Sequence, residues 1–297
     1  MKKIIKKITL SFLNWFATLY FFVEYLLEIF IPKRYKGALR DELIRKIDSK
    51  LNHVEYKKNT KETVNFSLYT PNSVCSMRYN TFEYKEPETL KWIDEYGQNG
   101  VLYDVGANIG IYSIYFAKST KGKVYSFEPS VFNLRQLAKN ISFNELEERI
   151  RIIPNPLSAE TRFGIFTNGN EDEGGALSAF DVSYGYDGKE LNSKINYSLM
   201  GFSLDDLIDF GIINDPPSII KVDVDGIEHL ILKGAVKTLS KKTCKSVLIE
   251  VNDDFKEQSK SVSKILSSCG FSLLKKEHSE AVEKSSFSKA FNQIWVK

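Results

Sequence analysis

From Gly100 onward, short apolar runs alternate with amphipathic ones. VLYDVG, KVYSFE, RIRIIP, SIIKVDVD and KSVLIEV predict strands, and IGIYSIYFAKS, VFNLRQLAKNISFN and IEHLILKGAVKTL predict helices among them. DDFKEQSKSVSKILSSCG holds a further helix, and FSLLKKE and FNQIWVK close the chain as strands. Repeated strand–turn–helix units predict an α/β fold with a mostly parallel sheet covered on both faces. Residues 167–201 break the rhythm. They are polar and Gly-rich, too long for a plain connection, and predict a lid or a disordered insert.

The chain ahead of Gly100 is less regular. Residues 38–51 place Leu39, Leu43, Ile44, Ile47 and Leu51 at helical spacing. Residues 62–70 and 73–79 alternate as short strands around the turn Pro71-Asn72, and Glu86 to Tyr96 predicts a helix stopped by Gly97. The expected organisation is an N-terminal segment at 1–40, a cap at 41–96 and a main domain at 97–297 carrying the 167–201 insert.

Residues 8–31 form one apolar stretch, long enough for a spanning helix. Glu24 and Glu28 interrupt it, and a charge at bilayer depth costs several kcal/mol. Lys7, Ser11, Asn14, Thr18, Phe21, Tyr25 and Glu28 recur at spacings of four and three, a narrow and mostly polar stripe. The helix therefore lies in the headgroup plane, spans the bilayer, or packs on a partner or core. No small-residue cleavage site follows it, which disfavours a signal peptide. Basic residues stand on both flanks, so the flanks give no orientation.

Charge sharpens this picture. The net +3 hides an asymmetry: residues 1–40 hold six Lys, two Arg and two Glu, a net +6, and the rest of the chain is net −3. An anionic membrane surface is thus an expected partner of residues 1–36, and nucleic acid is not. Cysteines 75, 244 and 269 are odd in number and widely spaced, which fits a reducing compartment better than a disulfide framework.

Three sites carry candidate chemistry. D-V-G-A-N-I-G (104–110) ends a strand and opens a helix, with Gly106 for the sharp turn and Gly110 for close helix–strand packing. It is not G-x-G-x-x-G, because Asn108 holds the middle position. Asp104 suits a cationic amino group or hydroxyls, not a phosphate. Glu128 ends the next strand, where an acid accepts the two hydroxyls of a ribose. Asp104 and Glu128 are expected to open on one cavity. In K-V-D-V-D-G-I-E (221–228), Asp223 ends a strand at the same edge. Asp225 and Glu228 are either an N-cap and its capping-box partner, or acids that orient or deprotonate a substrate hydroxyl. Three carboxylates also suit a divalent cation, although no metal site is assigned. His229 is expected on a helix surface, and Glu250, ending the next strand, in the same cleft.

Taken in order, these stretches resemble the FkbM family of S-adenosylmethionine-dependent O-methyltransferases. The likeness runs from about residue 84 to 297 through VLYDVGANIGIYSIYFAK, KVYSFEPSVFNLRQLAKNISFN, FSLDDL, IIKVDVDGIEHLILKGA and KSVLIEV. It departs at Asp225, where the family commonly carries Glu. The resemblance implies a Rossmann-like class I methyltransferase fold: a mostly parallel seven-stranded sheet, helices on both faces and an antiparallel final strand. It implies S-adenosylmethionine as cofactor. Asp104, Gly106, Ala107, Asn108 and Gly110 would wrap its methionine part, Glu128 its ribose, and Asn155 and Ser158 its adenine edge. Asp223 would face the reacting centre, with Asp225 and Glu228 beside it. The acceptor would be a hydroxyl of a sugar, glycolipid or other natural product. Cofactor supply places the catalytic domain on the cytoplasmic side of a membrane, or free in the cytoplasm. A nicotinamide-dependent oxidoreductase and a non-catalytic membrane-tethered module are the alternatives.

Overall fold

The computed structural model describes residues 2–48, 51–58, 62–191, 195–283 and 287–297. Residues 1–50 and 51–297 form two compact units. The first holds helices α1 (Lys2–Glu28) and α2 (Ala38–Asp48). Both acids that interrupt the apolar run find partners within it. Glu24 is buried and pairs with Arg40 of α2 at 3.1 Å, and a Glu28 oxygen accepts the Gly37 N–H at 2.6 Å. Phe12, Trp15, Phe16, Leu19 and Phe22 are exposed. Lys7–Glu28 is long and apolar enough to cross a membrane.

In the second unit, β1 (Leu51–Lys57) pairs antiparallel with β2 (Thr63–Tyr69). The chain then forms helix α3 (Ser73–Lys85), not the strand expected at 73–79. Asn72 accepts the Cys75 N–H at 2.8 Å and caps the helix, which buries Cys75 and Phe82. Satisfying an otherwise orphan donor at the helix start outweighs a short run of alternation. The partner of residues 62–70 is instead LNHVEYK, at and beyond the end of the helix expected over 38–51. Helix α4 (Pro87–Trp92) runs into a single π-turn that ends at Gly97.

The remaining strands are β3 (Val101–Val105), β4 (Lys123–Phe127), β5 (Ile150–Ile153), β6 (Arg162–Asn168), β7 (Ala179–Phe180), β8 (Ile195–Gly201), β9 (Ile219–Val222), β10 (Ser246–Asn252), β11 (Ser272–Glu277) and β12 (Ala290–Val296). Helices α5 (Ile111–Ser119), α6 (Val131–Phe143), α7 (Leu204–Asp209), α8 (Glu228–Lys233), α9 (Val236–Ser240), α10 (Lys256–Ser268) and α11 (Glu280–Glu283) connect them. The main sheet runs β11-β12-β10-β9-β3-β4-β5, with β12 antiparallel to both neighbours and the other pairs parallel. This is the expected architecture. A small antiparallel sheet, β7-β6-β8, holds both ends of the 167–201 insert.

Alternation along the strands sorts the core into two layers. Leu102, Val124, Ile219 and Leu248 face one layer, which residues of β1 to α5 complete. Tyr103, Tyr125, Ile220 and Val247 face the other, under α7 to α10. Burying each such side chain contributes roughly 1.5–3 kcal/mol. Register then sets the site. Val105 pairs with Phe127 and Val222, and Phe127 pairs with Ile153. Four parallel strands thus end level, and the turns after them share one rim. The chain leaves β3 toward β4 and β5 and returns on its other side at β9, so the rim lies at a switch point, where such sheets bind ligands.

Candidate active site

The turn after β3 is drawn tight by left-handed backbone at Gly106 (φ +85°), Asn108 (φ +52°) and Gly110 (φ +86°). A Cβ on Gly106 would lie 1.9 Å from the Asp223 carbonyl oxygen, so only glycine lets the exits of β3 and β9 approach this closely. One on Gly110 would meet Leu137 Cδ1 at 2.5 Å. The Gly106 and Ala107 N–H groups both donate to the Phe127 carbonyl at 3.0 Å. The next N–H, of Asn108, donates to Glu128 Oε2 at 2.8 Å, and Ser130 N–H donates to Oε1 at 2.9 Å. Glu128 is therefore aimed by the backbone of two turns. Burial pushes its carboxyl up to about 7. The Asn133 side chain also bonds it, and the carboxylate retains acceptor capacity for a further donor.

Above this turn lies a cavity of about 570 Å³, lined by Gly106, Asn108, Glu128, Asn155, Asp223 and Asp225 among others. Phe127, Pro156, Leu157, Phe166 and Phe180 supply apolar walls. Residues 174–177 strap one side. Asn108 Nδ2 and Asn133 Nδ2 donate to the Gly175 carbonyl at 2.6 and 3.2 Å, and Gly174 N–H donates to Asn133 Oδ1 at 2.9 Å. Leu177 N–H donates to Asp225 Oδ2 at 2.6 Å. Asp225 is not a helix cap: the cap residue of α8 is Ile227, and no side chain caps that end. Burial, with the Asp223 charge beside it, pushes Asp225 up to about 6.

Several expected residues lie elsewhere. Asp104 does not share a cavity with Glu128. It is buried beneath the turn, where Oδ2 accepts the Ser113 hydroxyl at 2.6 Å and Oδ1 has no hydrogen-bond partner among the described residues. Asp104 sits inside β3, opposite Lys221, and so points into the core layer and not over the rim. Burial raises its pKa, and Lys221 opposes the rise. Gly110 shapes the turn from behind. Ser158 is also outside, its hydroxyl on the Glu160 carbonyl at 2.5 Å. Glu228 is consumed by its own turn. It accepts the Val224 and Gly226 N–H groups and the Gln258 amide, which leaves it no face toward substrate. Burial pushes it up to about 7. His229 is buried against Phe255, not on a helix surface, because α8 turns that face onto α10. Glu250 lines neither cavity at the rim. Its pKa is raised well above the carboxylate range by burial and by Asp223, Glu228 and Glu86.

A second cavity, about 490 Å³, adjoins the first and shares Gly106, Asn108 and Asp223 with it. Its other walls include Ala107, Arg78, Lys85, Glu86, Tyr112 and Lys221. Lys221 is buried within β9, and its Nζ meets Asp223 Oδ2 at 2.6 Å. Burial alone would lower its pKa, but Asp223, Glu86 and Asp104 together raise it. Lys85 and Lys221 in turn overcome burial and hold Glu86 down at about 2. Lys85 pairs with Glu86 at 3.0 Å, and Tyr112 donates its hydroxyl to Glu86 at 2.9 Å. Sequence reasoning missed this half of the rim. One signal was present: a lone Lys inside the apolar strand IIKV must be paired when both faces are covered.

Residues 104–273 match the methyltransferase FkbM domain. The chain belongs to the FkbM methyltransferase family. Hexuronic acid methyltransferase AglP of Haloferax volcanii is 28% identical over 181 residues, 59% of this chain and 64% of AglP. The FkbM methyltransferase of Methylobacillus flagellatus is 16% identical with a TM-score of 0.46, over 75% of this chain and 52% of that one. Magnesium protoporphyrin IX methyltransferase from Synechocystis, solved with its cofactor bound, is 11% identical with a TM-score of 0.46, over 89% and 94%. The chain thus spans less than two-thirds of the length of AglP.

The cofactor is S-adenosylmethionine. The first cavity fits it on its own features. Glu128 keeps acceptor capacity for a ribose hydroxyl, apolar walls at Pro156 and Leu157 suit a flat base, and the carboxylates of Asp223 and Asp225 suit a sulfonium cation. Among the described residues, no cluster of His, Cys, Asp and Glu has metal-binding geometry.

Proposed function

We propose that this FkbM methyltransferase methylates a hydroxyl of a sugar, free or carried on a lipid. One observation carries the reading: Gly106, Asn108 and Asp223 line both cavities, so a group in one meets a group in the other at Asp223. Bound S-adenosylmethionine supplies an activated methyl group. The protein's work is then to hold an acceptor hydroxyl in line at near-attack distance. Glu128, Gly106, Asn108 and Asn155 hold the cofactor, with Asp225 fixing the 174–177 strap over it. Lys221 holds Asp223 Oδ2, and the other Asp223 oxygen, which makes no hydrogen bond among the described residues, receives the hydroxyl proton.

AglP, named for a hexuronic acid substrate, supports a sugar acceptor. The exposed apolar face of α1 and the lysines around it support membrane association, with the catalytic unit on the cytoplasmic side where the cofactor is available. A variant lacking residues 1–32 that still co-sediments with anionic vesicles would contradict that part. For the chemistry, labelled S-adenosylmethionine, a sugar acceptor and the Asp223→Asn variant give the test. We expect a base-stable methyl ether from the native protein and roughly a hundredfold slower transfer from the variant. A base-labile methyl ester, or unchanged transfer by the variant, would contradict it.

A further inference from the structure

Three cations face the second cavity, and two of them are already matched. Lys221 meets Asp223 at 2.6 Å, and Lys85 meets Glu86 at 3.0 Å. Arg78 differs. Among the described residues no carboxylate pairs with it, and its one hydrogen bond runs from Nε to the Gly174 carbonyl at 2.7 Å. That bond fixes the plane of the guanidinium without using its two terminal nitrogens. A guanidinium held at Nε and open at its far edge is a fork shaped for a carboxylate. A neutral sugar offers hydroxyl acceptors but no charge to match such a group, and a half-buried cation with no paired carboxylate among the described residues, felt by Asp225 only through space, favours an anionic occupant.

We infer that Arg78 is the specificity residue of the acceptor site and that it reads a carboxylate on the sugar. This rests on the reading of the second cavity as the acceptor site. The proposal assigns the acceptor to the acidic sugars, with the carboxylate on α3 and the reacting hydroxyl at Asp223. The Gly174 contact also ties Arg78 to the strap over the cofactor cavity, so an acceptor that engages Arg78 steadies the wall of the neighbouring site. The carboxylate of the cofactor's own amino-acid end has the same chemistry, and the test separates the two sources.

The experiment measures binding and not turnover. Methyl glucuronide and methyl glucoside are titrated into the full-length protein saturated with S-adenosylhomocysteine. The native protein should bind the glucuronide about tenfold tighter than the glucoside, the value of one charge-assisted contact. Arg78→Met should bring that ratio close to one, and Arg78→Lys, which keeps the charge but not the fork, should leave part of it. The ratio is taken within each variant, so a general loosening of the strap cancels. Both variants lose the Gly174 contact, so S-adenosylhomocysteine affinity is measured beside the ratio and falls with the strap while the sugar preference falls with the fork. Equal binding of the two sugars by the native protein overturns the proposal, as does a preference that survives in Arg78→Met. Loss of S-adenosylhomocysteine affinity with the sugar preference intact would give Arg78 to the cofactor instead. In a separate turnover with S-adenosylmethionine, a methyl ester from a glucuronide whose binding depends on Arg78 would sink the hydroxyl reading and leave only the carboxylate contact standing.

Discussion

The two cavities at the rim of the sheet share three residues and are built by different means. The first cavity, proposed to hold the cofactor, is made by backbone. Its key acid, Glu128, is aimed by two main-chain N–H groups, and its floor exists because Gly106 has no Cβ. The adjoining cavity is made by side-chain charge. Lys221 and Lys85 are balanced against Asp223 and Glu86, with Asp104 below, and among the described residues no carboxylate pairs with Arg78. The comparison teaches where each can fail. The first should be sensitive to any added atom in the turn, the second to any change in the count of charges.

The largest effect should come from the charge-built side. Lys221→Met leaves Asp223, Glu86 and Asp104 without their shared buried cation, and removing one partner of such a set costs about 3–5 kcal/mol. We expect a large drop in melting temperature by calorimetry. A variant as stable as the native protein would show that the ion network carries little of the fold. Gly106→Ala tests the backbone-built side. The new methyl group meets the Asp223 carbonyl at a left-handed φ, and a loss of about 2–4 kcal/mol is expected, together with cofactor binding. Retained binding would mean that the β3 and β9 exits separate more easily than their packing implies.

A smaller effect separates the two sides by pH. Burial raises Glu128, Asp225 and Glu228 to about 7, 6 and 7. Groups raised in the fold stabilise it fully below their unfolded values, and that contribution is lost as pH rises through the folded ones. Glu86, lowered to about 2, titrates below this window. Buried His229 is lowered and acts in the opposite sense, losing stability as pH falls below 6.5. Glu250 and Asp104 are raised as well, so the acids outnumber the one histidine and set the sign. The protein without cofactor should melt several degrees higher near about pH 5 than near about pH 8. A flat profile, or one that rises with pH, would contradict the burial of these carboxyls.

What could be read in the sequence follows the same division. The parallel sheet, the Gly106 turn and the placement of Glu128 and Asp223 at its rim were legible because each depends on residues a few positions apart. The second cavity joins Arg78 and Glu86 to Lys221 across more than 130 positions, and no local pattern announces that meeting. Asp104 and Glu228 misled for a related reason. An acid at a strand end or before a helix looks alike whether it faces a ligand or a buried N–H, and only packing decides. The strand expected at 73–79 failed because Asn72 ends the turn by capping a helix, which set Arg78 and Lys85 on α3 and gave the rim its charged wall.

The proposed chemistry at this rim requires that Glu128 hold the cofactor. Titration calorimetry with S-adenosylhomocysteine at about pH 8, where the carboxylate is ionised, tests this most directly in the native protein and in Glu128→Gln. The account predicts binding to the native protein and about tenfold or greater weakening in the variant, from the loss of charge-assisted bonds to the ribose hydroxyls. Equal affinity in the two proteins would contradict it.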